Sequence, residues 1–245
     1  MSHTPIPPLP FIEQYLEFDS IDSTNTYAKT HTPLPKTGFC VIRAKTQSGG
    51  RGRHDARFFS AVEGGLWVSI IVPIDDIKNH FVYNRALSLA IVEALTPLAP
   101  SAEVRIKWPN DIYWNQKKIC GILLESHPAS ANHLIIGFGC NCTIPKEAFP
   151  DDLKNIATSV FEETGKNVDL NKMLFSICDD FYKNLDVDIQ KIHSKYVTYL
   201  YKTGAAVVAG GVSGILESVG PEGVLYVRTT NNELVSVVSG SLVFV

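Results

Sequence analysis

The sequence has no apolar run of the roughly 20 residues that a membrane-spanning helix needs, and at a formal net charge of −3 it has no basic excess. The first absence excludes a helical membrane span. The second argues against DNA or generic nucleic-acid binding, which needs a broad cationic surface to neutralise phosphates. The N-terminal stretch MSHTPIPPLPF lacks the basic start and apolar centre of a secretory signal and is expected to be a loose lead-in. The cysteines Cys40, Cys120, Cys140, Cys142 and Cys178 are odd in number and have no metal-ligand spacing. Cys140 and Cys142 would share one strand face, but nothing nearby supplies the other ligands of a zinc site. They read as reduced, buried thiols of a cytoplasmic protein. With 45% hydrophobic and 19% charged residues the chain is not disordered, and its 245 residues suffice for one large domain or a large and a small one.

Hydrophobic periodicity predicts an α/β (α+β) region followed by a β tail. Ser23 can cap a helix running through Asn25 and Ala28. Phe39 to Ala44, Leu66 to Val72 and His133 to Cys142 read as strands. Leu87, Ala90, Ile91, Ala94, Leu95 and Leu98 recur at three and four and mark a helix over Tyr83 to Leu98, ended by Pro97 and Pro100. Leu153, Ile156, Ala157 and Val160 are expected on a short helix, and Leu170 to Leu185 on a longer amphipathic one capped by Asp169. From Tyr196 valine and glycine dominate, with turns at Gly210-Gly211, Gly220 to Gly223 and Asn231-Asn232. Five short strands there suggest a small barrel. The expected division is residues 1–195 and 196–245, with Asp186 to Lys202 open between helix, linker and first strand.

The chemistry concentrates in RIKWPNDIYWNQKKICGILLE, Arg105 to Glu125. Lys107, Asn110, Asp111 and Lys118 fall within a dozen residues, with strand-like runs before and after. Pro109 favours an extended Trp108, and Trp114 to Lys117 reads as a hairpin turn that carries Lys118 at the start of the next strand. Two lysines beside a carboxylate and an amide suit a polyphosphate with its magnesium ion, a hard cation that takes oxygen ligands. The alternative is a solvated hairpin.

A second candidate is the loop Gly49-Gly50-Arg51-Gly52-Arg53. Glycines let backbone approach a ligand closely, and arginines offer forked donors to phosphate or carboxylate. The string lacks the helix that a dinucleotide fingerprint needs behind it. RNA contact by RGR with Arg57, Phe58 and Phe59 stays open here, as does a solvated loop.

KWPND followed by KKICGILLE resembles the central signature of biotin protein ligases, which attach biotin to a lysine of carboxylase carrier domains. Phe18 to Lys29, FDSIDSTNTYAK, resembles the family's DSTN element. Lys45 to Ser60, KTQSGGRGRHDARFFS, resembles its glycine- and arginine-rich loop, and GFGCNC at Gly137 to Cys142 resembles its glycine-rich strand. These four, in the family's order, cover about residues 18 to 142; ATSVFEETG at Ala157 to Gly165 and GILESVGPEGVLYVRT in the tail are similar too. The resemblance implies a catalytic domain with a mixed central sheet flanked by helices, and a C-terminal SH3-like barrel. About eighteen residues precede the DSTN element, whereas a winged helix-turn-helix needs on the order of sixty, so the single-function form without DNA binding is expected.

The resemblance further implies an ATP-dependent ligase, with biotin and ATP as substrates and Mg2+ as cofactor, a biotin carboxyl carrier domain as partner, and a monomer or weak homodimer. Carried over residue by residue, Ser23, Thr24, Asn25, Gln47, Gly50, Arg51, Arg53, Lys118 and Gly121 match biotin-binding positions. Arg51, Arg53, Phe58, Lys107, Asn110, Lys118 and Asn141 match adenylate-binding ones. Lys118, Arg53, Lys107 and Asp111 would carry the catalysis, with Asp111 the candidate for magnesium. The loop departs from the family's common RGRKWFS form: here RGR is followed by HDARFFS, so Phe58 takes a tryptophan's place and Asp55 adds a carboxylate that needs an arginine partner near a phosphate. Lipoate or octanoate attachment is the neighbouring alternative, and a noncatalytic RNA-binding module a distant one.

Overall fold

The computed structural model describes residues 9–245, apart from the side chain of Asp55. Residues 1–8 of the expected lead-in, and the expected role of the Asp55 carboxylate, lie outside the described residues. The first seven strands are β1 (Ile12–Ile21), β2 (Phe39–Gln47), β3 (Gly65–Pro73), β4 (Val104–Lys107), β5 (Asp111–Trp114), β6 (Lys117–His127) and β7 (Ser130–Asn141). They form one mixed sheet in the order β1-β2-β3-β7-β6-β5-β4, parallel between β1 and β2 and antiparallel elsewhere. The helices are α1 (Thr24–His31), α2 (His80–Leu95), α3 (Val160–Thr164), α4 (Leu170–Leu185) and α5 (Ile189–Thr198). Ser23 caps α1 by accepting from Thr26 N, and Asp169 caps α4 by accepting from Asn171 N and Lys172 N. Pro97 falls in the single 3-10 turn after α2, where its missing N–H breaks no helical bond.

Strand alternation covers both faces of the sheet. Val41, Val68, Ile70 and Ile136 pack with α2 and α4, while Cys40, Ile42, Ile71 and Ile135 pack with Ala28 of α1. The register sets three rows on the α1 face: Glu125, Ile135, Ile71 and Cys40; then Leu123, Gly137, Ser69 and Ile42; then Gly121, Gly139, Trp67 and Ala44. Helix α1 covers the first row. Beyond it the rows carry glycines, which leave room above the sheet.

The tail forms β8 (Ala206–Ala209), β9 (Val212–Val219), β10 (Leu225–Arg228), β11 (Leu234–Val237) and β12 (Leu242–Phe244), an antiparallel sheet in the order β11-β10-β9-β8-β12. Most of Asp186 to Lys202 is α5, which runs through residue 195. The β9–β10 turn anchors this sheet to the larger one. Gly223 O accepts from Trp108 Nε1 at 2.8 Å, and Pro221 O accepts from the fully buried Arg85 at 3.1 Å. Gly223 has φ +87°, and a Cβ there would lie 2.4 Å from Phe81 Cδ2.

One expected helix is absent. Leu153, Ile156 and Ala157 lie in turns and an isolated bridge, Ile156 is 59% exposed, and only Val160 is helical, in the separate α3 capped by Ser159. The reason is competition for backbone: Ile156 O accepts from Lys118 N, and Thr158 N donates to Lys118 O, each at 2.9 Å, so this segment runs beside β6 as a strand would.

Trp108→Phe keeps the ring in the core but leaves the Gly223 carbonyl without its donor. The loss should be about 1–3 kcal/mol, measured as a lower denaturation midpoint with an unchanged slope.

Candidate active site

Twin glycines open the site. On the α1 face Gly121 and Gly139 are directly paired, and the Phe58 ring rests on them: a Cβ at Gly139 would lie 2.3 Å from Phe58 Cε1, and one at Gly121 3.0 Å from Phe58 Cε2. The ring meets Trp67 edge-on at 6.0 Å. One row further, Gly137 makes room for Asn25, whose Oδ1 would be 2.3 Å from a Cβ. A cavity of about 310 Å3 lies over these rows. Of the residues expected at the site, Ser23, Thr24, Asn25, Gln47, Arg51, Arg53, Phe58, Lys107, Asn110, Asp111, Lys118 and Gly121 line it.

Two expected residues do not. Gly50 is packed behind the wall, where a Cβ would lie 2.2 Å from Ser60 Oγ and 2.5 Å from Phe58 O, so its small size lets the loop close on itself. Asn141 opens instead into a second cavity of about 210 Å3, beside Phe58, Phe59, Tyr113, Phe149, Leu153 and Ile156. Its Nδ2 donates to Thr158 O at 2.9 Å. Lys118 and Phe58 line both cavities.

The neutral end of the first cavity is a chain of amides and hydroxyls. Gln47 Oε1 accepts from Thr24 N at 2.7 Å and its Nε2 donates to Ser60 Oγ at 3.0 Å, which sets the orientation of the amide. Ser69 Oγ lies 2.7 Å from Thr24 Oγ1 and 2.5 Å from Asn25 Oδ1. These groups are buried and bonded, and so pre-organised.

The charged end is built by register. Lys107 pairs with Asp111, and Asp111 with Gly121, so all three share the Gly139 row. Strict alternation would turn Lys118 to the other face from Gly121, but the β5–β6 pairing shifts between Ile112 and Tyr113, and the bulge re-aims Lys118. Its Nζ lies 2.6 Å from Asp111 Oδ1, at ion-pair distance though off hydrogen-bond alignment. Lys107 Nζ donates to Tyr113 OH at 3.3 Å. Burial pushes the Lys107 ammonium below its ordinary value, with Lys118 and Lys202 adding to the effect and Asp111 opposing it. Asn110 staples the β4–β5 turn, donating from Nδ2 to Ile122 O. Among the described residues no group of three or more His, Cys, Asp or Glu is placed to hold a metal. A magnesium ion held by one carboxylate and by substrate phosphates is compatible with Asp111.

The arginine loop is a short hairpin, with Gly50 bonded to Phe58, Arg51 bridged to Arg57 and Gly52 bonded to Ala56. Arg53 Nη1 lies 3.4 Å from both Asn110 Oδ1 and Gly240 O. Gly240, Ser241 and Leu242 bring the C-terminal sheet into the cavity wall. Those three, with Ser69, Ser60, Gly137, Gly139, Lys29 and Glu125, lie outside the residues expected at the site. The alternation of Gly137 and Gly139 was a legible sign of two side-chain-free positions on one face; Ser69 and Gly240 had no such sign.

The sequence profile of the Biotin/lipoate A/B protein ligase family matches residues 17–141. The bifunctional ligase/repressor BirA of Bacillus subtilis is 34% identical over 132 residues, 53% of this chain and 40% of that protein, so the chain spans about two fifths of this relative. The biotin--[acetyl-CoA-carboxylase] ligase of Paracoccus denitrificans is 26% identical over 219 residues, covering 84% of this chain and 91% of the relative. Among solved structures, the biotin protein ligase from Aquifex aeolicus in complex with biotin and ATP superposes with a TM-score of 0.82 at 26% identity, over 95% of this chain and 99% of that one.

Gly139→Val forces Phe58 off the sheet. Overpacking a held ring would cost about 1–3 kcal/mol, but this ring sits on a surface hairpin and can swing out. The expected outcome is a smaller stability loss than that, with faster hydrogen exchange at the amides of Gly52 and Phe58. Unchanged protection there would show that the hairpin does not depend on the ring's seat.

Proposed function

Because the chain belongs to the biotin/lipoate A/B protein ligase family, we propose that it activates biotin with ATP as biotinoyl-5'-AMP and transfers the acyl group to a lysine of a biotin carboxyl carrier domain of a biotin-dependent carboxylase. The observation that carries the reading is the polarity of one cavity. Its floor is a neutral amide and hydroxyl network at Thr24, Asn25 and Gln47, backed by the buried Ser69 and suited to a ureido ring, and its far end holds Lys107 and Lys118 about Asp111. A lipoyl or octanoyl chain would leave that network unmatched. The adjoining slot, aromatic and aliphatic with the Asn141 amide at its side, suits a planar base. Lys118 and Phe58 stand between the two, where an acyl phosphate would lie.

In the first step a biotin carboxylate oxygen attacks the α-phosphorus of ATP, the bond to the bridging oxygen breaks, and pyrophosphate leaves. In the second the carrier amine attacks the acyl carbon, the carbon–oxygen bond breaks, AMP leaves, and the amine gives up a proton. Both steps gather negative charge in the transition state, so placed cations are the chief requirement and no protein nucleophile is needed. Lys118, aimed by the bulge, brings carboxylate and α-phosphate together. Lys107 faces the outer phosphates, Arg51 and Arg53 close the hairpin over the adenylate, and Asp111 orients Lys118 and would hold a magnesium ion, which neutralises phosphate charge when bound. The same reading has it act in the cytoplasm as a monomer or weak homodimer.

Incubation with biotin, ATP and magnesium should give an adenylate of the expected mass; an octanoyl adenylate in its place would favour the neighbouring chemistry. Lys118→Met removes a charge-assisted contact worth roughly 1.5–3 kcal/mol, so pyrophosphate release should fall at least about tenfold. The pair it breaks is partly exposed, so the melting temperature should hardly move. Release at the wild-type rate would remove Lys118 from the chemistry.

Arg53→Gly tests the clamp. The residue bridges the hairpin and the C-terminal sheet, so its loss should free the reactive anhydride more than it slows its formation. Serum albumin mixed with this variant, biotin and ATP should become biotinylated on lysines. Albumin left unlabelled while adenylate still forms would show that Arg53 does not retain the intermediate.

A further inference from the structure

Glu125 lies on β6 one row beyond the cavity and takes part in neither chemical step. Its Oε2 accepts from Asn25 Nδ2 at 2.9 Å and its Oε1 from Lys29 Nζ at 2.7 Å, with Arg51 Nη1 3.3 Å from Oε1. Burial alone would raise its carboxyl pKa, but the Lys29 and Asn25 donors, with Arg51 beyond, hold it below the ordinary range. Three donors thus fix one anion next to the most deeply buried amide of the cavity floor.

An asparagine amide has the same shape either way round, and turning it exchanges a donor for an acceptor. Glu125 removes that freedom, because an ionised carboxylate only accepts. Nδ2 must face Glu125, so Oδ1 faces Ser69 over Gly137.

We infer that Glu125 is a positioning and specificity-determining residue: by fixing the Asn25 amide it turns the cavity floor into an acceptor that demands an N–H group from its ligand. The inference rests on the biotin reading and narrows it. A ureido ring supplies such N–H groups, whereas a lipoyl or octanoyl acid supplies none and leaves Oδ1 with the Ser69 hydroxyl as its one donor and a second lone pair unmatched. Sites built around a ligand's hydrogen-bond donor reject analogues lacking it far more strongly than apolar pockets discriminate by size.

The test uses the full chain, with pyrophosphate release as readout and three acids: biotin, biotin methylated on its ureido nitrogens, and octanoate. Glu125→Gln offers Asn25 a donor as well as an acceptor and lets the amide turn. The KM for biotin should rise about tenfold or more, the scale of one charge-assisted hydrogen bond, while kcat at saturating biotin stays within about threefold. Methylated biotin, already poor with the wild type, should lose much less. The double variant Asn25→Asp with Glu125→Gln exchanges the partners' roles, since the new carboxylate on α1 would accept both from the new amide on β6 and from the ligand, and it should recover most of the biotin affinity. Equal losses for biotin and its methylated form, a fall in kcat with KM unmoved, or no recovery in a folded double variant would overturn the inference. If the wild type uses octanoate and not biotin, the proposed function itself fails, and that outcome is read before any variant is compared.

Discussion

Everything at this site follows from the absence of side chains at three positions of a central sheet. Gly121, Gly137 and Gly139 lie on paired strands with their α-carbons bare toward the same face, and the space they leave admits Phe58 on one side and Asn25 on the other. A sheet face of this kind would ordinarily be covered by a helix, and α1 does cover its first row. Because α1 is only eight residues long, the cover stops short and its capped N-terminus supplies the neutral end of the cavity. Cover and cavity are therefore set by one strand register, and a slip of one residue would turn the glycines to the α2 face.

The same register cannot by itself deliver the cation. Lys118 and Gly121 differ by an odd number of positions, so an unbroken β6 would place them on opposite faces. The bulge corrects this locally, at the strand start, where the ladder to β5 and the Ile156–Thr158 segment still satisfy the backbone. The Lys118 peptide is bonded on that outer side too, so the side chain projects from a fixed frame. The arginine hairpin has no such frame: besides the Phe58 ring seated on Gly121 and Gly139, its long-range side-chain ties are contacts of Arg51 to Glu125 and of Arg53 to Asn110 and Gly240. Under the proposed function, stiff chemistry and a loosely held clamp would fall on different elements.

The sequence carried the other strands of the larger sheet but not β1, together with α2, α4, the five-stranded tail and most of the residues expected to line the cavity, because alternation, capping residues and motif order all act over short spans. What else escaped was of two kinds. The helix expected through Leu153, Ile156 and Ala157 has a helical apolar spacing, yet its backbone is claimed by Lys118, more than thirty positions earlier, and no local pattern reports such a partner. Glu125 stood inside the most informative segment but looked like the polar end of a strand. Its value comes from Asn25 and Lys29, about a hundred positions away. Gly50 shows the converse: its loop lies at the cavity, while the reason for glycine there is contact with Ser60 and Phe58 rather than exposure to the cavity.

Under the proposed function, the charges of the site fit two anionic substrates in one cavity. Lys118 is held by Asp111 at 2.6 Å, so a ligand carboxylate beside Lys118 must share the ammonium with another anion. That arrangement is repulsive unless Asp111 has a second cation to lean on. Lys107 pairs with Asp111 from the opposite side in the strand register, and its partial burial, which depresses its pKa, favours any further anion that comes near. Under the proposed function, a polyphosphate drawn to Lys107 and an acid drawn to Lys118 would flank the same carboxylate, their mutual repulsion offset by the two ammonium groups. On that reading the distance between reacting oxygen and phosphorus would be governed by one residue pair, Asp111 and Lys118, which the sheet register and the bulge hold on one face.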